Sequence, residues 1–315
     1  MTHVLVLDAS PHDYFDALKA RFPDVSFSLA RNAQEVAREL QNSQPNVVFS
    51  IKDPTFAGEI HRQAYTHDSV RWLQVGGSGY EHILPLDRPD VTVTYCAGVL
   101  AGHLAETVIG AMLAINGHLP RYLDQKRERV WQPIPFHPLS RQTLLIVGLG
   151  AIGERLAVNA KALGMQVLAV RRRLSSVPSV DELHAPEAIS TLLPRADFIS
   201  LHVRLDEGTR HLFDRNMLEF MKPGSVLINT ARGGVVDTKA LIDALNSGHL
   251  SGAYLDVFEE EPLPNSSPLW MLDNVILTPH ASDNICRWRA EFASFFASNL
   301  ERWLRGEPLE NVVQT

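Results

Sequence analysis

The stretch that decides the fold is Thr143-Leu144-Leu145-Ile146-Val147-Gly148-Leu149-Gly150-Ala151-Ile152-Gly153. Its first five residues, nearly all aliphatic, read as a buried strand, and three glycines at G-x-G-x-x-G spacing follow at once. Beyond them Leu156, Ala160 and Leu163 recur at helical spacing up to Gly164, which reads as the helix stop. Strand, glycine turn and helix form the context that a dinucleotide-binding turn needs. The first glycine permits the tight turn, the second lets a pyrophosphate approach the backbone, and the third lets helix and strand pack closely. The helix N-terminus adds amide donors and a favourable dipole. Gly148, Gly150, Ala151, Ile152 and Gly153 are therefore the expected cofactor-binding residues.

Downstream, strand-like runs recur with helix-like segments between them. They are Gln166–Val170, Phe198–His202, Ser225–Asn229, Gly252–Asp256 and Asn274–Leu277. With Thr143–Val147 this predicts six strands in a doubly wound parallel sheet. The second strand should end in an acid if the cofactor carries a free ribose 2′-hydroxyl, yet it runs into Arg171-Arg172-Arg173. Guanidinium groups suit a 2′-phosphate, so Arg171 and Arg172 point to NADP(H) in preference to NADH.

Three later segments each carry a reactive side chain just past an apolar run: Arg232 in Val226–Gly234, Glu261 in Ala253–Pro262 and His280 in Val275–His280. In a parallel sheet such residues line the carboxyl edge, where open α/β folds bind ligands. A cation, a carboxylate and an imidazole meeting there suit proton transfer to an anionic substrate.

Upstream, Val4–Leu7, Val25–Leu29, Val47–Ile51, Arg71–Val75 and Val91–Tyr95 alternate with helical spacings, which predicts a second, separate set of βαβ units. The long helix expected from about His103 to Asn116 and the Pro-rich connector at Pro133, Pro135 and Pro138 follow. At the far end, Ile285 to Leu304 reads as a helix closed by Gly306. Trp288, Phe292, Phe295, Phe296, Leu300, Trp303 and Leu304 form its core stripe.

A chain of 315 residues has room for two such cores. A net charge of −7 argues against a general nucleic-acid binder, and no apolar run suggests a membrane span. Cys96 and Cys286 are too few for a disulfide framework or a metal cluster and read as small buried hydrophobes. The N-terminus enters a strand at once without a cleavable leader, so cytoplasmic residence is the expectation.

Four ordered motifs then make the chain resemble the D-2-hydroxyacid dehydrogenase family (the D-isomer-specific 2-hydroxyacid dehydrogenases). They are Gly148–Gly153, Asn229–Gly234, Asp256–Pro262 and Thr278-Pro279-His280, within a likeness running from about Gly76 to Pro308. The resemblance implies a homodimer of two Rossmann-like domains. The substrate domain would be discontinuous, 1–98 plus 283–315, around a dinucleotide-binding domain of 99–282, with hinges near Gly98 and Asp283. It also implies that Arg232 binds the carboxylate of a small 2-keto acid and polarises its carbonyl. His280 would supply the proton as hydride arrives, with Glu261 orienting His280 and favouring the charged ring. Asp256, Thr230 and Ala231 would meet the nicotinamide amide, while Ser78 and Gly79 in the loop Gly76–Glu81 would offer amides to the substrate carboxylate.

Two departures stand out: the arginines replace the acid of NAD-dependent members, and Ala281-Ser282-Asp283-Asn284 lacks the glycine commonly found after the histidine. Formate dehydrogenases share the fold but carry Gln where this chain has Glu261. A nucleotide-sensing binding protein, akin to the corepressors that resemble these dehydrogenases, is the alternative from a different class.

Overall fold

Short runs, apolar and buried on both faces in the central strands, build two sheets in which every strand pairing among the described residues is parallel. The computed structural model describes residues 2–51 and 56–313, and the chain divides into two units, Met1–Leu100 with Ile285–Thr315 and Ala101–Asn284.

In the first unit the strands are β1 His3–Leu7, β2 Ser26–Ala30, β3 Val47–Ile51, β4 Trp72–Gly76 and β5 Thr92–Tyr95, ordered β2-β1-β3-β4-β5. The connecting helices are α1 Phe15–Arg21, α2 Ala33–Ser43 and α3 Gly58–Thr66. Every residue of β3 and β4 is buried, as expected of central strands covered on both faces. The same unit holds the C-terminal helix Trp288–Arg305, which begins three residues later than Ile285. Phe296 stacks on Phe49 with ring centroids 4.5 Å apart and lies 5.3 Å from Trp72. Leu304, expected in the core stripe, is 45% exposed because it turns to the outer face of the last helical turn.

Polar groups buried under that helix satisfy one another. Trp72 Nε1 donates to Thr94 Oγ1 at 2.8 Å, Thr94 Oγ1 donates to Gln74 Oε1 at 2.7 Å, and Asn299 Nδ2 donates to the same oxygen at 3.2 Å. Cys96 is buried as expected, and burial pushes its thiol up to about 12. Cys286 is instead exposed, since it precedes the C-terminal helix in a turn and not in a packed element.

The second unit carries seven strands, not six: β6 Thr143–Val147, β7 Gln166–Val170, β8 Glu182–His184, β9 Phe198–Leu201, β10 Val226–Asn229, β11 Gly252–Leu255 and β12 Val275–Leu277. Their order is β12-β11-β10-β9-β6-β7-β8. The extra strand, β8, pairs with β7 at the sheet margin. A three-residue, half-buried edge needs no apolar run, so Glu-Leu-His gave no signal.

Helices α4 Ala101–Asn116, α5 Leu119–Glu128, α6 Ala151–Ala162, α7 Ile189–Leu192, α8 Arg215–Phe220 and α9 Thr238–Asn246 complete the unit. Small residues let α4 and α6 pack closely, with Ala105, Ala111, Ala157 and Ala160 buried in one core. Helix α6 ends before Leu163, which is 37% exposed and not part of the apolar face. Helix α5 had no clear apolar period to announce it, and no residue of it is buried. Strand order reverses between β6 and β9, which places the glycine turn after β6 at the switch point where such sheets bind ligands.

Truncating Phe296 to Ala removes a ring packed against two aromatic partners. Urea unfolding should show a loss of about 3–5 kcal/mol for the first unit. A loss below about 1 kcal/mol would mean that the helix is not anchored by that stack.

Candidate active site

Val147 ends β6, and Gly148 takes φ +99°, a conformation that side chains resist. A Cβ there would sit 2.8 Å from the carbonyl carbon and oxygen of His202, so this glycine brings two strand ends together. A Cβ on Gly153 would meet the Gly148 oxygen at 2.9 Å. Gly150 differs: it caps α6, is exposed, and nothing lies within 4 Å of where its Cβ would stand. The backbone there is open to an incoming group, with Ala151 and Ile152 forming the first residues of α6 behind it.

A cleft of about 750 Å³ opens over this turn, lined by Gly148, Gly150, Arg171, Arg172, His202 and Arg204 among others. Arg171 Nε and His202 Nδ1 are buried there with no hydrogen-bond partner among the described residues. Buried polar atoms left open in a cleft ask for a polar ligand. Glycine turn, helix N-terminus and cationic rim together fit a dinucleotide.

The two arginines differ in situation. Arg171 donates through Nη1 to Glu154 Oε1 at 2.9 Å and through Nη2 to the carbonyl and hydroxyl of Ser175, and its side chain is 17% exposed. Arg172 is 85% exposed and stands 3.8 Å from Asp206, a loose contact that costs little to break. Glu154 and His202 were not foreseen as part of this region. His202 bonds Ser200 Oγ through Nε2 at 2.8 Å, and burial pulls its pKa down to about 4, so the ring is neutral.

At the end of β10, the Asn229 side chain shapes the turn that presents Arg232. Its Oδ1 accepts from the Ala231 amide at 3.1 Å and its Nδ2 donates to the Arg232 carbonyl at 3.1 Å. Arg232 is half-buried and donates through Nη1 to the Ala231 carbonyl at 2.7 Å. Thr230 is buried, with its hydroxyl lacking a partner among the described residues. Next to Arg232, a Cβ on Gly233 would fall 1.9 Å from the Phe258 carbonyl carbon. Only glycine therefore allows the arginine turn to lie against the segment that leads to Glu261.

Glu261 uses both oxygens: Oε1 accepts from the Phe258 amide at 3.0 Å, and Oε2 lies 2.8 Å from His280 Nδ1. Both side chains are reachable from solvent, at 36% and 46% exposure. The loop bearing His280 is pinned to Asp256. Asp256 Oδ1 accepts from Thr278 Oγ1 at 2.5 Å and from the Ala281 amide at 2.8 Å, and Oδ2 accepts from the Ser282 amide at 3.1 Å. The His280 amide donates to the Asp256 carbonyl at 2.8 Å. His280 itself adopts φ +49°, a left-handed conformation that this clamp sustains.

Asp283, read earlier only as a departure and a hinge, lies in the same neighbourhood. Burial pushes its carboxyl above the ordinary range; His280 pulls it back, Asp256 adds to the rise and Arg232 opposes it. Chain position, three residues past the histidine, was the only signal for it. Ser78 and Gly79 belong to the other unit, in the loop after β4, where Ser78 is exposed and the Gly77 carbonyl accepts from the Cys96 amide at 2.8 Å.

The sequence profile described as D-isomer specific 2-hydroxyacid dehydrogenase, NAD binding domain, matches residues 109–282. The chain is 40% identical over 248 residues to the glyoxylate reductase of Thermococcus litoralis, spanning 75% of this chain and 74% of that protein. It is 45% identical over 199 residues to the (S)-sulfolactate dehydrogenase of Chromohalobacter salexigens, spanning 61% of this chain and 63% of the other. Its fold matches a D-isomer specific 2-hydroxyacid dehydrogenase from Xanthobacter autotrophicus Py2, solved in complex with NADPH and MES. The TM-score is 0.83 at 28% identity, covering 100% and 98% of the two chains.

The neutral His202 has a consequence for acid stability. Its pKa of about 4 lies below the ordinary 6.5, so between those values the unfolded chain binds the extra proton. The stability involved is complete above pH 6.5 and drains as the pH falls toward 4, by about 3 kcal/mol. His202→Gln should flatten that acid limb in urea unfolding curves recorded from pH 7 down to pH ~4.5. An unchanged limb would show that another group causes it.

Proposed function

Because the chain belongs to the D-isomer-specific 2-hydroxyacid dehydrogenase family, we propose that it reduces small 2-keto acids to D-2-hydroxy acids with NADPH. Glyoxylate and hydroxypyruvate head the candidate substrates. The observation that carries this reading is the His280–Glu261 pair, 2.8 Å apart at the carboxyl edge of a dinucleotide-binding sheet.

A nicotinamide cofactor bound at the glycine turn supplies the hydride. The carboxylate of Glu261 can only accept, so the proton on that contact belongs to His280 Nδ1. Nε2 is then the atom that gives its proton to the carbonyl oxygen of the substrate in reduction and takes it back in oxidation. Arg232 grips the substrate carboxylate with a planar guanidinium that Lys would not reproduce. Thr230 and Ala231 meet the nicotinamide end through the open hydroxyl and the turn backbone. Asp256, with both oxygens engaged by the His280 loop, holds that loop in place beside them.

Arg172 is assigned the 2′-phosphate, with Arg171 held beside it by Glu154. The NADPH bound to the Xanthobacter protein of like fold supports that preference. The same reading makes the protein a cytoplasmic homodimer. Leu119, Leu123, Val130, Trp131 and Phe136 are large apolar side chains exposed on α5 and the segment after it, as suits a surface that a second copy covers.

Purified protein with NADPH should consume glyoxylate or hydroxypyruvate, followed by loss of the reduced-nicotinamide absorbance. His280→Gln should cut kcat by about 10²–10⁴-fold with NADPH binding retained, and Glu261→Gln should cost less. Full activity in His280→Gln would end the proton-donor assignment. For the cofactor, Arg172→Ser should raise the KM for NADPH by about tenfold or more and leave that for NADH nearly unmoved. Equal changes for both cofactors would remove the 2′-phosphate role.

A further inference from the structure

Segment 257–263, which carries Glu261, leaves the sheet after β11 and makes no backbone-to-backbone hydrogen bond among the described residues. Val257 and Phe258 pack on the core, and the peptide between Phe258 and Glu259 lies against Gly233. From there to Leu263, which packs on the core again, side chains set the course of the chain. Glu261 supplies one anchor from within, through the Phe258 amide. Glu259 supplies another, and it reaches outside the segment. Its Oε2 accepts from the Thr238 amide at 3.1 Å, at the start of α9, and its Oε1 lies 2.7 Å from His211 Nε2. A carboxylate only accepts, so the proton on that second contact is carried by His211. Burial raises the Glu259 carboxyl, but the bonds from Thr238 and His211 outweigh it and hold the group below its ordinary range.

His211 is itself fixed to the turn of Arg232. Its amide donates to the Gly234 carbonyl at 2.8 Å, and the Phe213 amide donates to the Val235 carbonyl at 3.0 Å. His211 adopts φ +50°, a left-handed conformation that side chains rarely take. The pair is 43% and 36% exposed, and an ion pair so placed adds little stability. Backbone strain kept for so small a gain points to a role in the site.

We propose that Glu259, braced by His211, is a positioning residue for the proton donor: it holds segment 257–263 so that the Glu261 carboxylate stays on His280. The inference rests on the reading of His280 as the proton donor. Glu261 stands two residues from Glu259, and its contact with His280 Nδ1 spans 2.8 Å. Released at Glu259, the segment can drift far enough to open that contact. A displacement of about 1 Å at a catalytic group costs up to about 10²-fold in rate. The turn of Arg232 keeps its own backbone bonds, so binding should change less than kcat.

The test is a double-mutant cycle on reduction of the best 2-keto acid substrate with NADPH. Glu259→Ala should lower kcat by about tenfold and move both KM values by less than about twofold. In a Glu261→Ala background the same change should cost less than about twofold, because the group it positions is gone. His211→Asn tolerates the left-handed backbone but is too short to reach Glu259. It should lower kcat in the same way, and it carries the test should Glu259→Ala fail to fold. Glu260→Ala, at the exposed residue between the two acids, should keep the native kcat. Native kcat in Glu259→Ala and His211→Asn, or an equal loss with and without Glu261, overturns the positioning role and leaves the reductase reading standing. Absence of turnover with every 2-keto acid overturns the reductase reading itself, and the positioning role with it.

Discussion

A buried carboxylate at the end of β11 is the constraint on which the site depends. Asp256 is 3% exposed, and a charge so placed must be hydrogen-bonded or it destabilises the fold by several kcal/mol. A hydroxyl and two amides from the loop after β12 satisfy it, so that loop has little freedom to move away. His280 lies between those donors in the chain and is carried into a left-handed backbone conformation as part of the same arrangement. The ring is then aimed at Glu261 by local geometry. A site built this way keeps its histidine positioned whether or not a ligand is present.

Close backbone approach supplies the second constraint. Gly233 against Phe258 brings the turn after β10 onto the segment after β11, and Gly148 against His202 does the same for β6 and β9. Both contacts lie at the carboxyl ends of parallel strands, where neighbouring chain segments leave the sheet together. Arg232 and the segment leading to Glu261 are thus gathered by main-chain packing, as are the glycine turn and His202. Glu154 and Arg171 show a subtler division of labour on the rim. One arginine is fixed by an acid from the first turn of α6, and its neighbour is left extended and solvated.

Much of this was legible along the chain. Aliphatic runs such as Thr143–Val147 and Val47–Ile51 are buried on both faces of parallel sheets, so composition alone marks them as strands. The glycine pattern after β6 was legible for the same reason: a sharp turn with bare backbone admits few other residues. The segments carrying Arg232, Glu261 and His280 could be placed at strand ends because each follows such a run. Edge and surface elements were harder. Strand β8 has no apolar run, α5 buries no residue, and Leu304 and Cys286 were misplaced because periodicity does not reveal where a helix turns outward or begins.

The sequence by itself determined the class of fold, two parallel-sheet α/β units, because hydrophobic burial and glycine stereochemistry are local properties of short segments. Tertiary structure alone decided which polar groups meet. Asp256 clamping the loop of His280, Glu154 holding Arg171 and His202 kept neutral by burial all depend on neighbours that strand order sets. Electrostatics depends on distance and burial in space, and neither is written in the spacing of residues along the chain.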